Sequence, residues 1–175
     1  MKTMIVVLVE GVSDQGAVRA VAKKLGIFIK VVIMRGNNLK KAVRIIRSYK
    51  DYDKAIILKD LHRYDENAIT RRLETIATRI AKPKVIPIIV KRAIEAWVLA
   101  DPQSLSKELG VRVNVKDSEA LLDPAETLNH YMKLAGKEYI KSERMLEMLM
   151  SKVDLREAAK RARSLSAFIK ALQDP

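Results

Sequence analysis

The sequence predicts an α/β fold in which a four-stranded, mainly parallel sheet is flanked by helices and followed by an all-helical C-terminal part. Within residues 1–100, four short β-branched runs alternate with segments whose apolar residues recur every three or four positions. From residue 93 onwards only the helical spacing is found. A length of 175 residues and a hydrophobic content of 49% suffice for one core with a small appendage.

The four predicted strands are short and mostly apolar, and the first is apolar throughout, which is typical of a strand buried on both faces of a parallel sheet. They span residues 4–9, 29–34, 55–58 and 85–90. Pro87 in the fourth run favours an edge strand or a bulge, because proline cannot donate a hydrogen bond to a neighbouring strand.

Three helices are predicted between the strands, from apolar spacing in residues 17–25, 39–46 and 69–80. Ser13 is the expected N-cap of the first helix, the turn at residues 36–38 supplies that of the second, and Asp65 that of the third. Beyond residue 100, helix starts are predicted from an acidic residue followed by proline or by a downstream Glu, at Asp101, Asp123 and Asp154. The apolar residues from Leu128 to Leu172 fit the core faces of three or four helices. We therefore expect an α/β core at residues 1–100 and a helical subdomain at 101–175 that packs on it.

The net charge of +13 is unevenly distributed. Residues 1–100 contain 21 Lys+Arg and 9 Asp+Glu, whereas residues 101–175 contain 13 and 12. Such an excess favours polyanionic partners such as nucleic acid. The alternative is a charge-rich surface that serves solubility or the ion-pair networks of a heat-adapted protein, with which the three Gln residues are compatible.

Several classes of protein are excluded by composition and by missing motifs. The absence of cysteine removes disulfide scaffolds, thiolate metal sites and cysteine nucleophiles. No apolar run approaches the ~20 residues of a membrane span, and the N-terminal run is too short for a signal peptide, so we expect a cytoplasmic protein without membrane contact. Gly11 and Gly16 have the spacing of a phosphate loop, but Ala17 and Val18 replace its Lys and Ser/Thr, and no dinucleotide or nucleophile-elbow motif occurs.

Acidic residues are concentrated where the predicted strands end. Because ligands of open α/β sheets bind beyond the carboxyl ends of the strands, this edge is the expected site. Like charges so close together need a counter-charge, and a divalent cation is the usual one. Six of the nine acidic residues in residues 1–100 follow a strand at this edge: Glu10, Asp14, Asp60, Asp65, Glu66 and Glu95.

These acids do not all favour a functional role. Glu10 and Asp60 each end an apolar strand where neither a cap nor a surface role explains them. His62 would point to the same side as Asp60 if the strand continued, as a ligand or as a surface residue. Asp14 fits a metal ligand and a first-turn helix residue equally well. Caps or solvated positions are the simpler interpretation of Asp65, Glu66 and Asp101.

Three stretches together resemble the TOPRIM domain of topoisomerases, primases and OLD-family nucleases. Residues 7–14 resemble its first motif, a strand ended by Glu-Gly with an Asp downstream, and residues 58–62 stand where that family has Asp-x-Asp. Residues 94–101 are similar to the Glu-Ala-Trp-Leu-Leu-Ala-Asp stretch of a TOPRIM-like family of uncharacterised prokaryotic proteins, and residues 164–172 to its end. The TOPRIM resemblance covers roughly residues 1–100, and the narrower one nearly the whole chain.

The resemblance implies a TOPRIM/Rossmann-like sheet and metal-dependent, nuclease-like phosphoryl transfer on DNA or RNA. Glu10 would be the general acid or base, and Asp60 would hold Mg²⁺ or Mn²⁺ together with Glu10, His62, Asp14 and Glu95. His62 replaces the second Asp of the motif, and imidazole suits manganese, zinc or nickel better than magnesium. Basic side chains would guide the nucleic-acid backbone: Lys40, Arg44, Arg47, Arg63, Arg71, Lys91 and Arg92.

Two other functions fit the same residues. One is a non-catalytic nucleic-acid-binding TOPRIM-like module that works with an ATPase partner, as in OLD-type systems. The other is an interaction protein whose helical tail forms a homodimer. Binding of nucleic acid that survives metal removal would favour the first, and no binding at low salt would favour the second.

Overall fold

The computed structural model describes residues 2–35 and 38–175, so the predicted turn at Gly36 and Asn37 lies outside the described residues. The elements are, in chain order, β1 (Ile5–Val9), α1 (Val12–Lys24), β2 (Ile29–Ile33), α2 (Leu39–Ser48), β3 (Lys54–Asp60), α3 (Glu66–Arg79), β4 (Lys84–Val90), α4 (Glu95–Leu99), α5 (Pro102–Leu109), a 3₁₀ turn (Ser118–Ala120), α6 (Pro124–Leu134), α7 (Glu143–Lys152), α8 (Leu155–Arg161) and α9 (Arg163–Gln173). None of the helices within these described ranges is both long and apolar enough to cross a membrane.

The four strands form one sheet in the order β2-β1-β3-β4, and every pair of neighbours is parallel. The predicted α/β fold is therefore confirmed, with a sheet that is wholly rather than mainly parallel. Val7 of β1 lies opposite Val31 of β2 and Ile56 of β3. β4 is an edge strand, as Pro87 predicts.

Alternation along each strand divides the apolar residues between two layers of helices. One face of the sheet, with Leu8 and Ile57, packs on α2 and α3. The other face, with Val7 and Ile56, packs on α1 and on the helices that follow β4. The sheet is thus buried on both sides, and its carboxyl edge is left for a site.

Residues 101–175, all of which the structure describes, contain five α-helices. The apolar residues from Leu128 to Leu172 lie on four of them, α6 to α9, which agrees with the three or four that the spacing predicts, and α5 follows the predicted cap at Asp101. Only Ala162 separates α8 from α9. These helices share an apolar core with the sheet, in which Trp97 stacks on Phe168 with ring centroids 5.4 Å apart. The boundary at residue 100 stays a prediction, since that core crosses it.

Helices α1 and α7 approach most closely at Gly16. A Cβ atom added there would lie 1.9 Å from the Glu143 carbonyl oxygen, so only glycine permits this contact. The spacing of Gly11 and Gly16, which resembles a phosphate loop, is thus explained at Gly16 by helix packing. This contact fixes the segment before α7 relative to the N-terminus of α1.

Candidate metal centre at the carboxyl edge of the sheet

Glu10 and Asp60 meet because β1 and β3 are adjacent and parallel and end at the same edge of the sheet. Asp60 is the last residue of β3, and its backbone N–H donates a 3.0 Å hydrogen bond to Glu10 Oε2. Both side chains are largely buried, with 10% of Glu10 and 7% of Asp60 exposed. Two carboxylates are therefore held together in a place with little solvent.

His62 completes a group that can hold a metal ion. Its Nε2 lies 3.6 Å from Glu10 Oε2 and 3.9 Å from Asp60 Oδ2, and the side chain is about half exposed. One ligand atom from each of the three residues lies within 4.8 Å of the others. Carboxylate and imidazole ligands together suit first-row divalent metals.

The backbone at His62 is held by Arg92, which follows β4. The His62 N–H donates to the Arg92 carbonyl oxygen at 3.2 Å, and Arg92 Nη1 donates to the His62 carbonyl oxygen at 2.9 Å. Both residues have positive φ angles, of 49° and 64°. Such backbone conformations are uncommon for residues other than glycine, and the reciprocal bonds stabilise them.

Lys59 neutralises part of the charge on Glu10. Its Nζ lies 2.6 Å from Glu10 Oε1 and also donates to the Asp60 carbonyl oxygen at 3.0 Å. Only 1% of its side chain is exposed. Lys59 is not among the site residues predicted from the sequence. The available signal is a lysine within an otherwise apolar buried strand, which needs a charged partner.

Asp14 lies in the first turn of α1, which begins at Val12 with Gly11 as its N-cap rather than after Ser13. The Gly11 N–H donates to Asp14 Oδ2 at 3.0 Å, whereas Oδ1 is buried and makes no hydrogen bond within the described part of the chain. Burial raises the pKa of Asp14 to about 6, and the carboxylates of Glu95 and Glu10 add to this, against lowering by the Gly11 hydrogen bond and by Lys141. Asp14 is both a helix-start residue and a member of the acidic centre.

Glu95 is the first residue of α4, and its side chain is completely buried. Its Oε1 accepts a 2.8 Å hydrogen bond from the Tyr139 hydroxyl and lies 3.4 Å from Lys141 Nζ. Within the described residues, 2–35 and 38–175, no group forms a hydrogen bond with its Oε2. Burial and the Glu95 carboxylate raise the pKa of Tyr139, so its hydroxyl remains a donor. Tyr139 and Lys141 are not found by the sequence analysis, because nothing local connects them to a residue more than 40 positions away.

Asp60 interacts electrostatically with the other three carboxylates of the site. Burial raises its pKa well above the usual range, and the charges of Asp14, Glu10 and Glu95 raise it further, while Lys141 opposes them. The clustered acids, with an unbonded oxygen on both Asp14 and Glu95, form a donor set that a divalent cation would satisfy. Of the five metal ligands expected from the sequence, the structure groups Glu10, Asp60 and His62 closely enough to hold a metal ion, whereas Asp14 and Glu95 lie outside that group and interact with it electrostatically.

The other acidic candidates have local structural roles. Asp65 caps α3 by accepting from the Ala68 N–H at 2.7 Å, as predicted. Asp101 caps α5 through the Ser104 N–H and also accepts from the Asp154 N–H at 2.8 Å, which joins α5 to α8. Glu66 pairs with Lys91 at the surface.

The basic residues predicted to guide nucleic acid lie at the surface in two places. Lys40, Arg44 and Arg47 are exposed along α2. The remaining four are exposed or half-buried on α3 and in the segments after β3 and β4: Arg63, Arg71, Lys91 and Arg92. Their binding of nucleic acid stays a prediction.

The fold and the site define a class: an α/β protein with a parallel sheet and a carboxylate-rich centre at its carboxyl edge that can hold a metal ion. A family model described as a domain of unknown function, DUF4276, matches residues 9–173, and the chain belongs to this family. No curated protein and no solved structure matches the chain.

Proposed function

We propose that the protein is a metal-dependent, nuclease-like enzyme of the TOPRIM type that acts on phosphodiester bonds of DNA or RNA. One observation carries the proposal. Ligand atoms of Glu10, Asp60 and His62 lie within 4.8 Å of one another at the edge where α/β sheets bind ligands. The unbonded oxygens of Asp14 and Glu95 support it, because a buried carboxylate oxygen without a partner is costly.

The donor set favours Mg²⁺ or Mn²⁺ as the cofactor, with Glu10, Asp60 and His62 as its ligands and with Asp14 and Glu95 completing the site. His62 in place of an oxygen ligand shifts the preference towards Mn²⁺. When bound there, a divalent ion supplies stabilisation of negative charge on a phosphodiester and lowers the pKa of bound water.

The residues of this chain supply proton transfer and orientation. Glu10 takes a proton from the attacking oxygen or returns one to the leaving oxygen, through the carboxylate edge that faces His62. Lys59 and the Asp60 N–H fix the direction of that carboxylate. Lys141 keeps a positive charge at the opening of the site, since the carboxylates of Glu95, Asp14 and Asp60 outweigh the effect of burial and raise its pKa.

Cleavage of a panel of single- and double-stranded DNA and RNA, with Mg²⁺ or with Mn²⁺, tests the proposal. We expect Glu10→Gln and Asp60→Asn each to lower the rate by about 100-fold or more. Asp65→Asn is the matched control, because Asp65 caps α3 close to the site and asparagine caps a helix equally well. Cleavage by the wild type that is unaffected by either site substitution would disprove this mechanism.

A second candidate is a non-catalytic nucleic-acid-binding module that works with an ATPase partner. His62 favours it, because an oxygen-only metal site would lack one ligand there. This function predicts salt-sensitive binding that survives EDTA, Glu10→Gln and Asp60→Asn. A protein that instead binds no nucleic acid even at low salt would be an interaction protein.

A further inference from the structure

A cavity of about 500 Å³ lies beside the metal centre, beyond the carboxyl ends of β3 and β4. Leu61, Lys91 and Arg92 form one wall, and they directly follow those two strands. Arg161 and Arg163 form another wall, at the junction of α8 and α9. The volume falls within the range of pockets that hold small ligands, so a nucleotide-sized group fits.

Four cationic side chains from two distant parts of the sequence thus converge on this cavity. Arg161 and Arg163 are exposed, on either side of the buried Ala162, and they belong to the part of the chain whose net charge is close to zero. The convergence is produced by the docking of α9 along β4, which brings residues 70 positions apart to one edge of the sheet.

The carboxylates that line the cavity have partners other than its three arginines. Glu66 pairs with Lys91, and Asp117 accepts from the Glu119 N–H at 3.1 Å. Glu119 accepts from the Ser164 N–H at 3.3 Å and from the Ser164 hydroxyl at 2.8 Å. The Ser164 hydroxyl in turn accepts from the Trp97 indole N–H at 2.8 Å, which anchors this wall to the core.

The arginines of the cavity therefore keep donors for another anion. Arg92 donates to the His62 carbonyl oxygen, and Arg161 reaches the Val115 carbonyl oxygen at 3.5 Å. Across the described residues, no carboxylate lies within 4.0 Å of the Arg92, Arg161 or Arg163 guanidinium. Arginine binds phosphate through paired N–H donors, and three guanidinium groups without a direct carboxylate partner suit the oxygens of a phosphate.

We propose that this cavity, which we call the arginine pocket (Leu61, Lys91, Arg92, Arg161 and Arg163), binds a backbone phosphate of a nucleic-acid strand next to the phosphate at the metal centre. The inference rests on the proposed function for the identity of the strand. Arg92 links the two places physically, since it lines the pocket and holds the backbone of His62. The helical C-terminal part then supplies substrate-binding residues in addition to packing.

The test is binding of fluorescein-labelled dT12 and U12 in EDTA at several salt concentrations, measured by anisotropy. We expect the double variant Arg161→Ala/Arg163→Ala to bind about tenfold more weakly. The slope of log K against log salt should fall by roughly 1.4, since each single-strand phosphate contact contributes about 0.7. The matched control is Lys152→Ala/Arg156→Ala, which removes the same charge from exposed positions of α7 and α8 outside the pocket. Melting temperatures confirm that both variants fold.

Equal binding by the two double variants, or no binding by the wild type, would overturn the arginine pocket. The proposal would also be overturned if millimolar inorganic phosphate weakened strand binding by the wild type no more than strand binding by the Arg161→Ala/Arg163→Ala variant. The proposed function is judged separately, by cleavage in the Glu10 and Asp60 variants. If the wild type binds the strand through the arginine pocket in EDTA but the Glu10 and Asp60 variants cleave normally, the pocket is supported and the proposed mechanism is disproved.

Discussion

The Lys141 ammonium lies 3.4 Å from the carboxylate of Glu95, whose side chain is completely buried. Lys141 precedes α7 and Glu95 begins α4, so this contact joins the helical C-terminal part to the acidic centre. The positive charge of Lys141 also opposes the rise in the pKa values of Asp14 and Asp60 that burial and the neighbouring carboxylates cause. Lys141 is therefore the counter-charge that the C-terminal part provides to the carboxylates of the α/β part.

Lys141→Met should raise the pKa values of Asp14 and Asp60 further, because their nearest cation from the C-terminal part is lost. We expect the free energy of unfolding in EDTA at pH 8 to fall by about 1 kcal/mol, a modest value because Lys141 is half exposed. Denaturant unfolding and carboxyl ¹³C NMR titration measure the two effects. Lys137→Met, at an exposed position of the same segment, is the control and should change neither.

Asp14 should make the free energy of unfolding depend on pH. Its pKa is raised from 3.8 to about 6 on folding, so the folded state binds the proton more tightly than the unfolded state. In EDTA, this residue's contribution to stability must therefore fall as pH rises from about 4 to about 6. Asp14→Asn removes that contribution and should be more stable than the wild type by about 3 kcal/mol at pH 7, with little difference at pH 3.5. A difference that does not change between these pH values would contradict the assignment.

Binding of a divalent metal ion should offset the loss of folding stability that the clustered carboxylates cause. Mn²⁺ at about 100 times its dissociation constant is expected to stabilise the wild type by about 2.7 kcal/mol. Asp60→Asn should lose that gain although its metal-free form is at least as stable as the wild type, because a buried charge is removed. Thermal unfolding with and without Mn²⁺ measures both. Asp65→Asn should respond to Mn²⁺ as the wild type does, and a response of Asp60→Asn equal to it would refute metal binding by Asp60.

Gly16→Ala should destabilise the fold by about 1–3 kcal/mol, since its Cβ would meet backbone atoms of Glu143 and Glu147 and force α1 and α7 apart. Gly11→Ala is the control. A Cβ there would meet only Asp14 Oδ2, at 3.6 Å, and Gly11 has an ordinary extended backbone. The denaturation midpoints of the two variants give the comparison. Equal midpoints would mean that α1 and α7 can separate without cost.

Much of the fold could be predicted because its signals are local. Apolar β-branched runs gave four strands within one or two residues of their ends, and Pro87 indicated the edge position of β4. Asp65, Asp101, Asp123 and Asp154 cap helices as predicted, because the capping hydrogen bond spans only two or three residues. The four helices α6 to α9 agree with the three or four that the apolar spacing predicts between Leu128 and Leu172, although a single buried alanine separates α8 from α9.

Of the candidate site, the acidic residues and His62 were predicted from the sequence, whereas Lys59 and Lys141 were not. Glu10, Asp60 and His62 come together because the carboxyl ends of parallel strands share an edge, which a sequence pattern can show. The cations that balance them could not be placed in the same way. In the sequence Lys59 looks like a solvent-exposed lysine at the end of a strand. Lys141 and Arg163 reach the edge only because α7 packs on α1 and α9 packs on β4.

The apolar core that joins Val7 of β1 with Leu146 of α7 limits how this architecture can be divided. A chain that stops near residue 100 would keep α1 on this face of its sheet but would expose the part near β4 that α9 covers, along with the bare groove around Gly16. We expect such a fragment to associate or aggregate rather than to fold as a smaller stable domain. Any relative that lacks the helical part must therefore cover that face with another chain or another domain.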